Sequence, residues 1–189
     1  LQLLQYHDVA TEQVEKLVHG AMFTRGPQDL HKTAVFVGGT DVAAGEQLLQ
    51  AVQDCFFGPL QVSVMMDSNG ANTTAAAAVL AVAKQIDLKD CSALVLAGTG
   101  SVGRRVGQLL VQHGAHLTLA SRDQQRADDA ADSLKDSVPN ADVVGIVLTD
   151  ENELTRALQH CDVLVAAGAA GIQLVPQNLW KSSEQLKVM

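Results

Sequence analysis

The segment Ala97-Gly98-Thr99-Gly100-Ser101-Val102-Gly103 follows the apolar run Ala93-Leu94-Val95-Leu96 and leads into Arg104-Arg105-Val106-Gly107-Gln108-Leu109-Leu110, whose apolar positions have helical spacing. The order is strand, glycine turn, helix. In a turn of this kind the first glycine permits the sharp reversal, the second lets a ligand approach the backbone, and the third lets the helix pack close to the sheet. The free N–H groups and macrodipole of the following helix favour a negatively charged group there.

The same alternation continues downstream. Strands are expected near residues 93–97, 116–120, 142–147 and 161–166, with helices near 101–113, 122–136 and 150–159 between them. A parallel sheet covered on both faces is the architecture this pattern specifies. Upstream, residues 11–19 read as a short amphipathic helix, 33–37 as a strand, 42–56 as a helix and 60–66 as a second buried strand. Asn72, Thr73 and Thr74 can cap an alanine-rich helix running to about Ile86. The predicted fold class is therefore α/β: a Rossmann-type doubly wound parallel sheet over residues 89–189, preceded by a smaller α/β domain over 1–88. The boundary is expected near Lys89 and Asp90, where charge interrupts the apolar pattern. Two strands are few for an independent sheet, and residues 186–189 read as the start of another strand. An N-terminal strand and further C-terminal residues beyond this chain are expected on that ground.

Composition narrows the function. A net charge of −8 without any Lys/Arg cluster argues against a nucleic-acid partner. Cys55, Cys91 and Cys161 stand apart with no CxxC spacing, and the six histidines have no metal-ligand spacing, so neither a zinc site nor a disulfide framework is expected. The longest apolar run, residues 75–83, is too short to span a bilayer. A cytoplasmic protein acting on a small molecule, without nucleic acid or membrane, fits best, and a homo-oligomer is expected.

Gly98, Thr99, Gly100, Ser101, Val102 and Gly103 are the candidate diphosphate contacts of a nicotinamide dinucleotide. The ribose-reading residue should fall at the end of the next strand, where NAD enzymes carry a carboxylate. This chain has Ser121 and Arg122 there. A guanidinium binds a 2′-phosphate bidentately, so NADP is the expected cofactor. Alternatives stand beside this: Arg122 caps or solvates the next helix, and Asp123 pairs with it or partly restores NAD binding. After the fourth strand of this half, Ala167 and Gly168 are small enough for a nicotinamide ring to lie against backbone, although a plain turn would use the same residues.

In the first half, the loops after the strands are Gly38-Gly39-Thr40-Asp41 and Asp67-Ser68-Asn69-Gly70-Ala71-Asn72-Thr73-Thr74. The second holds more polar side chains than a helix cap needs. Thr40, Asp67, Asn69, Asn72 and Thr73 are the candidate substrate contacts, with an elaborate Asx turn as the structural alternative. Glu46 and Lys84 lie within helices and read as structural or solvated.

Phe23-Thr24-Arg25-Gly26, Phe36-Val37-Gly38-Gly39 with Ala43-Ala44-Gly45-Glu46, Phe56-Phe57-Gly58-Pro59, the Asp67-Ser68-Asn69-Gly70 segment with Asn72-Thr73-Thr74-Ala75-Ala76-Ala77, and Leu96-Ala97-Gly98-Thr99-Gly100 together carry a resemblance. In order and spacing they resemble the NADP-dependent methylene-tetrahydromethanopterin dehydrogenases of one-carbon metabolism, from about Tyr6 to the chain end. The resemblance implies a cofactor domain, a smaller pterin-side domain, and hydride transfer from a methylene-pterin to NADP. Family members extend further at both ends. Such an oxidation needs no nucleophile or proton acceptor, because the two nitrogens flanking the methylene carbon stabilise the cation. A carboxylate near that cation could assist, and Asp41 and Asp67 are the candidates, each with helix capping as its alternative. Tetrahydrofolate is an alternative carrier. Other readings are a non-catalytic NADP-binding regulator of the same fold, or a shikimate-type dehydrogenase, for which these loops lack a convincing Lys/Asp pair.

Overall fold

The computed structural model describes residues 2–189, which divide into two units, one ending at Ala71 and the other running from Asn72 to Met189. In the first, helix α1 (Thr11–Met22) places Val14, Val18 and Met22 at four-residue intervals, one buried stripe along a single face. A 3-10 turn (Pro27–Lys32) leads into strand β1 (Ala34–Val37), then helix α2 (Val42–Asp54) and strand β2 (Ser63–Met66). β1 and β2 pair in parallel, from Ala34 opposite Ser63 to Val37 opposite Met66. Their alternation follows the two-residue period of a strand. Val35, Val37, Val64 and Met66 pack with α1 and Val52 of α2, while Phe36 and Met65 point to the other face and stay exposed.

The second unit opens with helix α3 (Ala71–Ala83), most of which belongs to it. Strand β3 (Ser92–Leu96), helix α4 (Ser101–Gln112), strand β4 (His116–Ser121), helix α5 (Gln124–Ser137), strand β5 (Val143–Val147), helix α6 (Glu151–Leu158), strand β6 (Val163–Ala166) and a short helix α7 (Gln177–Lys181) follow. The sheet is wholly parallel in the order β5-β4-β3-β6. Chain order therefore reverses between β3 and β6. β3 is buried on both sides, as a central parallel strand must be. Ala93 and Val95 pack among α3, α4 and α5, and Leu94 and Leu96 among α6 and the segment around Val175, so helices cover both faces. This is the doubly wound sheet that the alternation predicts.

The division between units falls well before the boundary expected between residues 88 and 89. The cause is α3, whose Ala75, Val79 and Val82 are buried against Val95, Val106 and Leu110 in the core of the second unit. Residues 186–189, read as an incipient strand, make a single parallel bridge, Val188 to Val163. They are held by Asp162, whose carboxylate accepts from the Ser92 N–H at 2.9 Å and the Gln185 amide at 2.9 Å, and pairs with Lys187 at 2.7 Å.

Candidate functional site

At the carboxyl end of β3 the backbone turns through Ala97, at φ 53°, a left-handed conformation unusual for a residue with a Cβ. The three glycines behave differently. A Cβ on Gly98 would meet the Leu119 side chain at 2.8 Å, and one on Gly103 would meet the Ala97 carbonyl oxygen at 2.5 Å and the Gly98 Cα at 2.8 Å. Both are required by packing. Gly100 has ordinary extended backbone, φ −76° and ψ 168°, and a Cβ there would come no closer than 3.3 Å to the Ala97 carbonyl oxygen. The fold asks little of this glycine, and the space above it could cradle a diphosphate.

Gly100 is also the N-cap of α4, and no side chain caps the helix. The N–H groups of Ser101, Val102 and Gly103 in the first turn are thus left for an anion. On the neighbouring strand, Ala167 N–H donates to the Leu96 carbonyl at 3.0 Å, which brings the Ala167-Gly168 loop beside the glycine turn at the point where strand order reverses. Open α/β sheets bind ligands in that crevice. A Cβ on Gly168 would meet the Leu174 side chain at 2.7 Å, so this glycine has a packing reason of its own.

β4 ends at Ser121, whose hydroxyl accepts from the Asp123 N–H at 3.2 Å. Asp123 is the N-cap of α5, its carboxylate accepting from Arg126 N–H at 2.9 Å. Arg122 is exposed and makes no hydrogen bond or ion pair among the described residues, so the Asp123–Arg122 pairing weighed from the sequence does not form. Beyond β5 the polar groups are likewise committed. Asp150 caps α6 through Glu153 N–H at 2.8 Å, and the N–H and hydroxyl of Thr149 both donate to Glu153, holding its carboxyl below the usual range.

The polar residues of the first unit collect at the carboxyl ends of β1 and β2. Asp67 N–H donates to the Val37 carbonyl at 3.0 Å and Asn69 N–H to that of Gly39 at 2.7 Å, so the two loops continue the pairing of the strands. Asp41 caps α2, accepting from Ala44 N–H at 3.0 Å, which is the capping alternative. Asp67, Asn69 and Thr40 share this end of the first unit. Asn72 and Thr73 belong to the second, and the side-chain oxygen of Asn72 accepts from Arg105 on α4. Sequence reading missed that bond, whose partners lie far apart in the chain. It equally missed the left-handed Asn69, at φ 54°, although the Asn-Gly pair is the signal for such a turn.

The cysteines are free thiols. Burial pushes Cys161 up to about 11, with the adjacent Asp162 adding to it, and also raises Cys91. In both, burial disfavours the thiolate form. No helix among the described residues is long and apolar enough to cross a membrane.

The second unit is an NAD(P)-binding domain of Rossmann type: residues 97–187 match the family described as NAD(P)H-binding. The fold is similar to that of dipicolinate synthase A chain from Bacillus subtilis, with a TM-score of 0.50 over 87% of this chain and 52% of that one, at 13% identity. Residues 1–69 match the family described as methylene-tetrahydromethanopterin dehydrogenase, N-terminal. Over 97% of its length the chain is 40% identical to the bifunctional protein MdtA of Methylorubrum extorquens, and over 98% it is 26% identical to the NAD(P)-dependent methylenetetrahydromethanopterin dehydrogenase of the same organism. It spans 64% and 65% of the lengths of those relatives. Residues 1–69 thus carry the N-terminal domain of the methylene-tetrahydromethanopterin dehydrogenase family, and the similarity to these relatives runs along nearly the whole chain.

Proposed function

We propose that the protein is a cytoplasmic dehydrogenase that takes hydride from the methylene bridge of methylene-tetrahydromethanopterin, delivers it to NADP and leaves the methenyl form. The observation that carries the choice of NADP is the end of β4. The carboxylate nearest the ribose position, Asp123, is engaged in capping α5, while the guanidinium of Arg122 has no protein partner among the described residues. A 2′-phosphate would find an unpaired cation there, and a 2′-hydroxyl would find no committed acceptor.

The bound nicotinamide supplies the hydride acceptor. The α4 N-terminus and Gly100 would hold its diphosphate, Ser121 and Arg122 the 2′-phosphate, and the Ala167-Gly168 loop would line the ring. Toward the pterin, Thr40, Asp67 and Asn69 are the first-unit contacts, with Asn72 and Thr73 following them in the chain. Asp41 and Asp67 are the candidates for a carboxylate facing the methenyl cation, Asp41 also capping α2. The oxidation needs no proton acceptor. Positioning supplies most of the rate.

The test is reduced-nicotinamide absorbance with NADP and each methylene carrier in turn. Formation with the tetrahydromethanopterin carrier supports the reading in full. Formation only with the tetrahydrofolate carrier corrects the substrate, and NADP binding without turnover on either carrier moves the protein to the non-catalytic reading.

A further inference from the structure

Ser68 is a small polar residue in the middle of the polar loop, yet it is completely buried. Its neighbour Asn69 is exposed. The space Ser68 fills is made by a residue far from it in sequence: a Cβ on Gly45 of α2 would lie 2.0 Å from the Ser68 hydroxyl oxygen and 2.9 Å from its Cβ, so only glycine at 45 lets the serine sit there. From that seat the hydroxyl donates to the Gly38 carbonyl over a long 3.3 Å. Val37, Gly38 and Gly39 thereby offer three successive carbonyls to Asp67, Ser68 and Asn69. The chain then turns at Asn69, with φ 54° and ψ 21°, and Gly70 N–H donates back to the Asp67 carbonyl at 3.2 Å. The Asn69 side-chain amide makes no hydrogen bond among the described residues.

We propose that Ser68, seated against Gly45, is a positioning residue: it pins the loop to α2 and to the β1 turn, so that Asn69 keeps its left-handed backbone and holds its amide ready for the pterin. The lock is mainly one of shape, since the 3.3 Å hydrogen bond is too long to dominate. Groups fixed before binding lose less freedom on binding, which is where such a lock would help the substrate and not the cofactor. The proposal rests on the reading that this loop meets the pterin, and its test separates the two.

Asn69-Gly70 supplies a readout independent of activity. When an Asn-Gly pair is mobile, the glycine nitrogen attacks the asparagine side-chain carbonyl, ammonia leaves, and hydrolysis of the resulting succinimide gives an acidic residue. Here the Gly70 N–H donates to the Asp67 carbonyl, which hinders its nitrogen from attacking. Mass spectrometry of the whole protein over time measures the conversion at Asn69, alongside the pterin KM and the NADP Kd. Ser68→Ala is expected to speed that conversion several-fold and to raise the pterin KM roughly tenfold with NADP Kd unchanged. Ser68→Cys, which keeps the bulk, should stay near wild type in both, and serves if the alanine variant does not fold. Wild-type conversion at Asn69 in a folded Ser68→Ala protein, or fast conversion in Ser68→Cys, would overturn the role of Ser68. Fast conversion in Ser68→Ala with an unchanged pterin KM would instead overturn the substrate-side reading of the loop.

Discussion

Gly100 and Gly103 are identical residues three positions apart with different reasons to be glycine. Gly103→Ala forces a methyl into the Ala97 carbonyl and Gly98, and overpacking of this kind costs about 1–3 kcal/mol. Gly100→Ala meets only a marginal 3.3 Å contact. It should change stability by less than about 1 kcal/mol, the scale of an N-cap substitution, yet weaken NADP binding by about tenfold or more because its methyl fills the cradle. Chemical denaturation beside NADP titration measures both. A Gly100→Ala protein that binds NADP normally would remove the diphosphate from this turn. Arg122→Ala belongs to the same scale. Losing a charge-assisted contact of about 1.5–3 kcal/mol should weaken NADP some ten- to a hundredfold and leave NAD nearly unchanged, and equal losses for both would show that Arg122 does not read the phosphate. These proposed roles can be read from sequence because they follow from residue type at a fixed offset from a turn. The seat of Ser68 and the Arg105–Asn72 bond were not, because each joins residues that only the fold brings together.

Elements were legible where their periodicity was strong. β3 and β4 lie within a residue of their expected bounds because apolar runs flanked by turn residues admit few alternatives. α3 was expected as a helix within the first domain, residues 1–88, whereas most of it lies in the second unit. Its alanines make it apolar all round, so no stripe announces which core it faces, and charge at residues 89–90 was a weaker guide than packing. Asp162 is an element-scale device that no motif announces. It ties the start of β3 and residues 185–188 to β6, and Lys187, followed by the Ser92 N–H, holds its carboxyl below the usual range. A carboxylate depressed in the folded protein stabilises above its unfolded pKa of about 3.9, and that contribution fades as pH falls through the depressed folded value. Asp162→Asn should therefore destabilise the second unit by about 1–3 kcal/mol at neutral pH and by much less in acid. Trp180, the sole tryptophan, lies in this unit and its fluorescence reports the unfolding. A variant equally destabilised at both pH values would contradict the assignment.

For the whole molecule, the division at Ala71 and Asn72 makes a prediction that the boundary expected from sequence does not. A fragment comprising residues 72–189 should fold and bind NADP. One starting at residue 89 lacks Val79 and Val82, each worth roughly 1.5–3 kcal/mol when buried, and should be largely unfolded. Equal stability of the two fragments would return the boundary to the sequence-based position. The proposed function requires direct hydride transfer from a pterin methylene group, with positioning in place of acid–base groups. The most direct measurement supplies NADP and methylene-tetrahydromethanopterin carrying deuterium at the methylene carbon, then weighs the reduced cofactor. Direct transfer predicts NADPH bearing one deuterium, formed in step with the methenyl product. Unlabelled NADPH, with the deuterium released to water, would contradict it.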